Sequence, residues 1–382
     1  MTTLTPFRVA AVTGSRAEFG LLSRLLRHLD DDPDVALSLI VTGSHLSQEH
    51  GATLSEIVTE GFAPSATIPL DSGDQSASAI VHAMGTAHGL FFDAFAQQKP
   101  HLLILLGDRY EIVPAAIAAT FLSIPIAHIG GGETTLGALD NIFRALVTDM
   151  SRIHFVADKE YQENVKKRAL DGSHVFNVGH LGIENSCVHI PENATKILAE
   201  LGLSPQQRLF AVTYHPVTSY PAETESSIDA LLSVLGQFAD SNIVFTGVNA
   251  DPGGLQVSAK IRRFVAQNKT TAAEVQSLGF RRYLSLVAAA DVVVGNSSSG
   301  MTEAPALGTP TVNIGSRQEG RIRTPTIIDC SGGIDDISNA LHKALSLKRN
   351  AETDSLSRYS EATLPSRVIV EHIKAFLETE YP

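Results

Sequence analysis

The chain is poor in cysteine and in basic residues. Only two cysteines, Cys187 and Cys330, occur among 382 residues, and they stand far apart. This spacing excludes a disulfide framework and a cysteine-rich metal cluster. Lys and Arg number 29 against 41 Asp and Glu, which gives a formal net charge of −12. A nucleic acid or an anionic membrane bound by a broad basic face is therefore excluded. Any bound anion must rely on a few local arginines and helix ends.

Long apolar runs are also missing. No stretch of about 18 apolar residues occurs, so we expect no membrane-spanning helix. The first residues, MTTLTPFR, lack the charged-then-apolar pattern of a secretory signal, and we expect a cytoplasmic protein. A hydrophobic content of 43% and a charged content of 18% are ordinary for a chain with a packed core. At about 150 residues per domain, the length predicts two or three globular domains.

Short apolar runs alternate with helical patterns along the chain. The segments FRVAAVTG at 7–14 and HLLILLGD at 101–108 are typical of buried strands. One helix face is marked by leucines at the i, i+3, i+4 and i+7 positions, namely Leu22, Leu25, Leu26 and Leu29. This alternation predicts an α/β fold of two Rossmann-like, doubly wound domains facing a cleft. The expected boundaries are 1–182 for the first domain, 183–365 for the second, and 366–382 for a C-terminal helix that packs back on the first domain.

The loops that follow strands carry the candidate residues, because ligands of open α/β sheets bind at the carboxyl ends of strands. The first loop, Gly14-Ser15-Arg16, has neither a GxGxxG pattern nor a Walker lysine, which leaves dinucleotide or ATP binding unsupported. Its N–H groups and the Arg16 guanidinium could hold a phosphate, or Ser15 could simply cap a helix beside a solvated Arg16. His45 occupies the matching place after the second strand, although a lone loop histidine is more often structural.

Three carboxylates follow strand ends or open a helix in the first half of the chain. Asp108 ends the strand 101–108, Glu133 follows three glycines at 130–132, and Asp140 opens a helix. Asp108 could also be a helix cap. Because carboxylates on one rim repel one another, we expect a raised pKa for at least one of them, which would provide an acid and a base at neutral pH. His128 lies among apolar residues, and we assign it to the core.

A histidine and a serine-rich loop mark the second half of the chain. His215 ends a strand, where it can donate a hydrogen bond to a phosphate oxygen. The loop GNSSSGMTE at 295–303 follows a buried run, and its N–H groups, hydroxyls and helix dipole suit an anion. Ser298 and Glu303 could instead be ordinary helix-start residues. A carboxylate near a phosphate, such as Glu303, is suited to accept from ribose hydroxyls.

A local basic segment follows the next strand. Three arginines stand close together there, at 317, 321 and 323, either as an anion contact or as a solvated surface loop. Phosphate-binding features in both domains, together with the carboxylates, predict a nucleotide diphosphate held across the cleft.

These segments resemble the hydrolysing UDP-N-acetylglucosamine 2-epimerases of the sialic-acid type over most of residues 7–330. The matching segments are VTGSRAEFGLL at 12–22, VTGSHL at 41–46, GDRYE at 107–111, GGETTLGALD at 131–140, HPVT at 215–218, and GNSSSGMTEAP with GTPTVNIGSRQEGRIR within 295–323. The resemblance implies a glycosyltransferase-B-like fold, a UDP-sugar substrate, release of UDP, and a free sugar of the N-acetylmannosamine type. It implies neither a cofactor nor a metal, and it implies a homo-oligomer, either dimer or tetramer.

The resemblance also implies roles for single residues. Asp108, Glu133 and Asp140 would be the acid/base residues, and His215 would assist catalysis as well as contact the diphosphate. The predicted UDP-binding residues are Arg16, His215, Asn249, Ser297, Ser298, Ser299, Gly300, Glu303 and Arg321. The predicted sugar-binding residues are His45, Arg109 and Arg144.

Two positions depart from the usual pattern of the family. Gly130 and Ala145 stand where the family usually has histidines, before Gly-Gly-Glu and after Arg144. Both losses remove polar groups near the sugar. A 6-deoxy sugar would suit such a site. A hydrolysing 2-epimerase of UDP-2,4-diacetamido-2,4,6-trideoxyglucose, of the legionaminic-acid type, is therefore an alternative to the UDP-N-acetylglucosamine enzyme.

Two further alternatives belong to other functional classes. A glycosyltransferase of the same fold would pass the sugar to an acceptor, and release of UDP without an acceptor would count against it. A non-catalytic sensor would bind a sugar nucleotide tightly without turnover, but the three carboxylates count against this hypothesis. Non-hydrolysing 2-epimerases share the two-domain fold and carry different residues in the carboxylate loops.

Overall fold

The computed structural model describes residues 5–48, 51–70, 76–169, 172–189, 191–347 and 363–382. The described residues pack into two units. Unit 1 takes those within 1–133, 140–184 and 359–382, and unit 2 takes those within 134–139 and 185–358. The segment 134–139 therefore packs with unit 2, although the residues on both sides of it belong to unit 1. Such an excursion has no signal in the hydrophobic pattern of the sequence.

Unit 1 is built on a parallel sheet. Its strands are β1 (Phe7–Thr13), β2 (Val35–Thr42), β3 (Ala66–Ile68), β4 (Leu102–Leu106), β5 (Ile126–Ile129), β6 (Ile153–Val156) and β7 (Val175–Asn177). In the described residues their order is β3-β2-β1-β4-β5-β6-β7. The chain order reverses between β1 and β4, which pair in parallel with Val9 beside Leu102. Loops at such a switch point are where open α/β sheets bind ligands.

Helices cover both faces of this sheet. They are α1 (Arg16–Asp30), α2 (Leu54–Thr59), α3 (Ala77–Gln98), α4 (Val113–Phe121), α5 (Asp140–Met150), α6 (Lys159–Lys166) and α14 (Pro365–Glu380). A further helix, α7 (Leu181–Val188), begins in unit 1 and ends in unit 2. One core cluster joins Val9 to Leu25 of α1 and Ile369 of α14, and the other joins Ala10 to Phe91 of α3. Alternate residues of β1 thus face opposite layers, as a strand buried on both sides requires.

Unit 2 repeats the same architecture. Its strands are β8 (Arg208–Thr213), β9 (Ser241–Thr246), β10 (Ala272–Val275), β11 (Val292–Gly295), β12 (Thr311–Ile314) and β13 (Ile327–Cys330). Its helices are α8 (Ala194–Glu200), α9 (Pro221–Leu235), α10 (Gly254–Gln267), α11 (Gly279–Ala289), α12 (Glu303–Ala306) and α13 (Ile334–Ser346). The described strands run in the order β10-β9-β8-β11-β12-β13, so the switch point lies between β8 and β11. The predicted fold class of two α/β domains with doubly wound parallel sheets is confirmed.

The C-terminal helix α14 packs on unit 1. Ile369, Ile373 and Leu377 lie in the core cluster with β1 and α1. At its start, the backbone N–H of Ser366 donates to Glu184 Oε2 at 2.8 Å, and Glu184 also lies 3.1 Å from the Nε of Arg24. A buried glutamate with these two partners ties the end of the chain to helix α1.

Two segments differ in structure from what their sequence suggests. The segment 182–205 is more polar than its neighbours, yet it contains most of α7 and the whole of α8. The helix expected from Ser298 is a 3-10 turn, Ser298–Gly300, and α12 begins only at Glu303. Pro305 limits how far α12 can extend towards the serine loop, because proline lacks an N–H donor and its ring crowds the preceding turn. Within the described ranges, no helix is long and apolar enough to cross a membrane.

Candidate active site

The predicted acid/base residues gather at the carboxyl ends of β4 and β5 in unit 1. Asp108 follows β4 through Gly107, whose φ of +83° lies in the left-handed region that favours glycine. Asp108 Oδ2 forms an ion pair with the Nη2 of Arg144, a residue of α5 with an exposed fraction of 3%. The same Nη2 lies 3.9 Å from Glu133 Oε2, and Nη1 donates to the backbone carbonyl of Glu133 at 2.8 Å. Arg144 therefore holds Asp108 and Glu133 together.

The third carboxylate, Asp140, lies beside a second arginine. Arg109 Nη1 is 3.8 Å from Asp140 Oδ1. The other edge of this guanidinium donates to both oxygens of Glu111, with Nε to Oε2 at 3.2 Å and Nη2 to Oε1 at 2.9 Å. Asp140 and Arg109 are both buried, with exposed fractions of 7% and 9%. Glu111 therefore sets the plane of the guanidinium that faces Asp140.

Asp108, Glu133, Asp140, Arg109 and Arg144 form what we call the carboxylate–arginine cluster. The sequence interpretation treated its three acids as mutually repelling. The structure places a guanidinium within 4.0 Å of each one, so opposite charge offsets that repulsion. Elsewhere in unit 1, burial raises the pKa of the Glu18 carboxyl to about 8, as described below.

His128 supports the cluster from below. Its ring bonds the carbonyl of Gly107 through Nε2 at 2.8 Å and the hydroxyl of Thr148 through Nδ1 at 3.1 Å. Burial lowers the pKa of His128 from its ordinary 6.5 to about 4, so the ring is neutral at physiological pH. The assignment of His128 to the core is confirmed, and the ring fixes the turn that precedes Asp108.

The two glycines Gly130 and Gly132, which precede Glu133, differ in the room that their surroundings leave for a side chain. Gly132 has a φ of +77°, and a β-carbon there would lie 2.3 Å from the carbonyl oxygen of Tyr161. No side chain fits at that position. Gly130 has a φ of +83°, but a β-carbon would meet nothing closer than 3.9 Å, and the atoms at that distance include Glu133 Oε1. Gly130 thus leaves open space beside the cluster.

The first loop of unit 1 adds a half-buried arginine. Ser15 is the N-cap of α1, since its hydroxyl accepts from the N–H of Glu18 at 3.4 Å, and Arg16 begins the helix. The cap interpretation of Ser15 therefore holds. Arg16 is half-buried, and its contact with a diphosphate stays a prediction.

The surroundings of His45 are those of a structural residue. It is buried in the turn after β2, with Nε2 at 3.0 Å from the Thr13 hydroxyl and Nδ1 at 2.8 Å from the Thr53 hydroxyl. Burial lowers the pKa of His45 to about 4. Both ring nitrogens already have partners within unit 1, which favours the structural alternative over sugar binding.

In unit 2, His215 lies at the switch point between β8 and β11. Its backbone N–H donates to Asn296 Oδ1 at 2.7 Å, and its carbonyl accepts from Asn296 Nδ2 at 2.8 Å. The backbone N–H of Asn249 donates to His215 Nδ1 at 3.2 Å. Because Nδ1 accepts this bond, the single proton of a neutral imidazole ring lies on Nε2. From there it can be donated to an anion.

The loop 295–303, which we call the serine loop, begins with a glycine at a position where a side chain would clash. Gly295 has a φ of +134°, and a β-carbon there would lie 1.9 Å from the carbonyl oxygen of Thr213. Ser297 accepts from the N–H of Ser299 at 3.4 Å, and Ser299 accepts from the hydroxyl of Tyr283 at 2.9 Å. Ser298 is exposed.

The rest of the serine loop runs from Gly300 to Glu303. Gly300 packs closely, since a β-carbon there would lie 2.8 Å from Cγ2 of Thr311. Glu303 begins α12 half-buried, and its carboxylate accepts from the Thr302 hydroxyl. The loop thus brings two serine hydroxyls and a carboxylate to the end of β11.

The basic segment after β12 is partly structural. Arg317 is 7% exposed, and its Nη1 donates to the carbonyl of Asn296 at 3.2 Å. Arg323 pairs with Asp329 at 2.8 Å, and Arg321 is half-buried. Of the three arginines, Arg317 is thus the one tied to the residue that holds His215.

Three residues that shape these sites carried no predicted role. Asn296 and Glu111 lie inside quoted segments, GNSSSG and GDRYE, but an amide or a carboxylate next to a better candidate is easily overlooked. Glu18 belongs to a Ser-x-x-Glu pattern that predicts only a helix cap. Burial is what distinguishes all three, with exposed fractions of 0%, 1% and 5%, and burial of a polar side chain was not apparent from the sequence.

The structure is that of an α/β protein with two Rossmann-like sheets, with the carboxylate–arginine cluster at the edge of one sheet and the serine loop at the edge of the other. A family model described as UDP-N-acetylglucosamine 2-epimerase matches residues 27–372. The chain belongs to this family, and its fold is of the glycosyltransferase-B-like type.

Individual relatives agree with this assignment. The GDP/UDP-N,N'-diacetylbacillosamine 2-epimerase (hydrolyzing) of Campylobacter jejuni is 36% identical over 88% of this chain and 87% of the relative. The polysialic acid biosynthesis protein P7 of Escherichia coli is 36% identical over 84% and 82%. The crystal structure of the Neisseria meningitidis UDP-GlcNAc 2-epimerase bound to UDP-GlcNAc matches with a TM-score of 0.75 at 15% identity, over 97% of this chain and 100% of that chain.

Proposed function

We propose that the chain is a hydrolysing 2-epimerase of a UDP-linked N-acetylated amino sugar, which releases UDP and the free C2-inverted sugar. The observation that carries this proposal is the carboxylate–arginine cluster, which brings three acids and two arginines to one sheet edge in unit 1. Membership of the 2-epimerase family supports it. The alternative of a bare phosphate-binding module would not require three acids at this edge.

The order of bond changes follows from the acidity of the sugar. The C2 proton is poorly acidic because no carbonyl lies next to it. The C1–O bond therefore breaks first, with its electron pair leaving on UDP, and C1 gains oxocarbenium character. A carboxylate then takes the C2 proton, and a C1=C2 double bond forms. Water adds its hydroxyl to C1 while a proton returns to C2 from the opposite face.

The cluster offers acids and bases for these steps. Inversion at C2 requires a proton acceptor on one face and a proton donor on the other. Asp108, Glu133 and Asp140 supply the candidates, and we propose that they divide these roles. Arg144 and Arg109 hold the carboxylates in fixed positions, so that a reacting C2 atom meets preplaced groups rather than mobile ones.

Unit 2 supplies candidate contacts for the leaving group. We propose that the Nε2–H of His215 and the hydroxyls of Ser297 and Ser298 bind the diphosphate, and that Glu303 accepts from ribose hydroxyls. Arg16 of unit 1 would add a positive charge. Each of these groups stabilises the negative charge that UDP gains as it leaves.

Two substrates fit this proposal. UDP-N-acetylglucosamine, converted to N-acetylmannosamine, is the substrate that the sequence motifs predict. UDP-N,N'-diacetylbacillosamine is favoured by the name of the Campylobacter relative at 36% identity and by the open space at Gly130. An additional acetamido group at C4 and a methyl at C6 need room and few polar partners. We therefore propose the diacetamido sugar as the preferred substrate and expect the N-acetylglucosamine nucleotide to react more slowly.

The decisive experiment is incubation with each nucleotide in deuterated water. We expect UDP and one free sugar, inverted at C2 and carrying deuterium there, as read by proton NMR. Intact nucleotide with both substrates would defeat the proposal. A product that forms only with an added sugar acceptor would identify a glycosyltransferase, and tight UDP-sugar binding without turnover would identify a sensor.

A further inference from the structure

Two buried glutamates lie against the same glycine behind the cluster. A β-carbon built at Gly14 would be 3.0 Å from Cβ of Glu111 and 3.3 Å from Oε2 of Glu18. Gly43 makes room on the other side, since a β-carbon there would be 3.0 Å from Cγ of Glu111. Glycines at the ends of β1 and β2 thus form a small space that the side chains of the two glutamates share.

Glu111 connects this space to the carboxylate–arginine cluster. Both of its oxygens accept from Arg109, and the remaining nitrogen of that guanidinium faces Asp140 at 3.8 Å. With an exposed fraction of 1%, Glu111 can hardly exchange this partner for water. Its ionised form therefore determines where Arg109 lies.

Glu18 connects the same space to the loop of Arg16. Its Oε2 accepts from the N–H of Gly14 at 2.6 Å, and Ser15 caps the helix in which Glu18 lies. Its other oxygen, Oε1, is buried and has no hydrogen-bond partner in the parts of the chain that the structure describes. Capping-box glutamates normally lie at helix starts in contact with water, so burial beside a second glutamate is unusual for this motif.

Retention of one proton reduces the repulsion between the two carboxyl groups. With both glutamates ionised, two buried negative charges would lie near the guanidinium of Arg109. Burial, and then the charge of Glu111, raise the pKa of Glu18 to about 8, whereas the N–H groups of Gly14 and Ser15 and the charge of Arg109 act in the opposite direction. Glu18 is thus the carboxyl that keeps the proton at neutral pH.

We infer that Glu18 and Glu111 form a positioning pair that holds one proton, with Glu111 orienting Arg109 and neutral Glu18 holding the Gly14–Arg16 loop in its binding form. This inference rests on the proposed function, because it assigns the loop and Arg109 to a UDP-sugar site. Loss of the shared proton places two like charges against Gly14. The loop can relieve this repulsion only by moving away from Glu111, which weakens nucleotide binding at alkaline pH.

The first test measures UDP affinity by calorimetry at pH 7 and pH 9. With a pKa of about 8, roughly a tenth of the wild-type protein keeps the proton at pH 9, so we expect Kd to rise about tenfold. Glu18→Gln keeps the shape and cannot ionise, so its Kd should be the same at both pH values. Glu163→Gln, an exposed glutamate of α6 in the same unit, is the control and should follow the wild type. A wild-type Kd that does not change, or a Glu18→Gln variant that keeps the full change, would overturn the inference.

A second measurement separates this inference from the proposed function. Carbon-13 NMR of glutamate labelled at the δ-carbon should show one carboxyl group titrating near pH 8 that disappears in Glu18→Gln. This readout needs neither UDP binding nor turnover. A protein that converts no UDP-sugar but shows this titration would refute the function and keep the pair. Absence of the titration would refute the pair alone.

Glu111→Gln tests the other half of the pair. Arg109 would lose its doubly bonded ionised partner, so we expect kcat to fall at least about tenfold while KM changes less than about threefold. Partial unfolding would also lower the apparent kcat at constant KM, so the folded fraction is measured from the stoichiometry of UDP binding in calorimetry and kcat is corrected for it. An unchanged kcat, or a rise in KM as large as the fall in kcat, would remove Glu111 from the positioning role.

Discussion

Asp108 and Glu133 share the guanidinium of Arg144, and Glu133 also gives that arginine its backbone carbonyl. Carboxyl groups held in this way by one buried guanidinium have fixed positions. The geometry therefore assigns Arg144 a positioning role within unit 1, in addition to the sugar contact that the sequence predicts. The residue whose side chain can be changed with the least disturbance is Glu133, because its carbonyl bond to Arg144 does not depend on its side chain.

We predict that Glu133→Gln lowers kcat at least about 100-fold, since an amide neither accepts nor delivers the proton at C2. The affinity for UDP should stay within about twofold, because the amide keeps the shape and the Arg144 contact. Turnover is followed by UDP release, and UDP affinity by calorimetry. Glu163→Gln again serves as the control and should retain full turnover. Full activity in Glu133→Gln would remove this residue from the mechanism.

Asn296 has a comparable position in unit 2. Its side chain bonds both the backbone N–H and the carbonyl of His215, and it is fully buried. Asn296→Ala breaks both of these bonds to the buried backbone of His215. We predict a loss of about 2–3 kcal/mol in the free energy of unfolding, measured by urea denaturation followed by circular dichroism. Weaker UDP binding should accompany it, because His215 loses its support.

The control for Asn296 is an exposed asparagine. Asn177 lies at the end of β7 and is exposed, so Asn177→Ala should change stability by less than about 0.5 kcal/mol. Equal stability of the Asn296 and Asn177 variants would contradict the structural importance of the bonds to His215.

At the scale of single elements, Gly295 and Gly85 show that the same substitution can have opposite effects. A β-carbon at Gly295 would lie 1.9 Å from the carbonyl oxygen of Thr213, with φ at +134°. At Gly85, on the exposed side of α3, nothing lies within 4 Å. Gly295→Ala should therefore destabilise by at least about 3 kcal/mol, through strain and displacement of β8 from β11. Gly85→Ala should stabilise by about 0.5–1 kcal/mol, because alanine favours the helix.

Urea denaturation of the two variants against wild type measures both effects. Destabilisation by Gly85→Ala would show that this face of α3 has a packing partner. A neutral Gly295→Ala would show that the start of the serine loop can shift without loss.

The elements that the sequence predicts correctly are those with a continuous apolar pattern. β1, β4 and β8 are buried strands within runs of seven, five and six residues, and α1 shows its leucines at helical spacing. Elements without a predicted counterpart, such as α2, α8 and β10, span six, seven and four residues. Elements this short depend on tertiary packing rather than on their own pattern. The polar composition of 182–205 concealed two helices for the same reason.

The candidate site was predictable in part. The rule that ligands bind after strand ends selects the loops of Asp108, Glu133 and His215, and the structure places them at or near the switch points. The pairing of Asp108 with Arg144 was not predictable, because 36 residues separate them and α5 brings them together. The roles of Glu111 and Asn296 depend on burial, which only packing determines.

At the scale of the whole molecule, buried histidines couple stability to pH. His45, His128 and His154 all lie in unit 1, and burial lowers the pKa of each from 6.5 to about 4. Their unfolded forms take up protons as the pH falls below 6.5, while their folded forms stay neutral until about pH 4. The unfolded state thus binds more protons in this range, so the free energy of unfolding decreases as the pH falls from 6.5 towards 4.

Two buried glutamates oppose this trend. Burial raises the pKa of Glu18 to about 8 and also raises that of Glu184, so the folded state holds their protons at a pH where the unfolded state has lost them. These two groups favour the folded state more strongly as the pH falls through the same range. Three histidines outweigh them, and we predict a net loss on the order of 2–3 kcal/mol between pH 6.5 and pH 5. Urea denaturation at pH 7, 6 and 5, followed by circular dichroism, measures the change.

The exposed His82 provides the control for the histidine prediction. It lies on the solvent side of α3, so His82→Gln leaves the three buried rings unchanged and should show the same dependence of stability on pH as the wild type. Proton NMR should show three imidazole rings that do not titrate above about pH 5. A free energy of unfolding that is constant or rises between pH 6.5 and pH 5 would mean that the glutamates outweigh the histidines. In that case the proton held by Glu18, rather than the three neutral histidines, would determine how the free energy of unfolding changes at acidic pH.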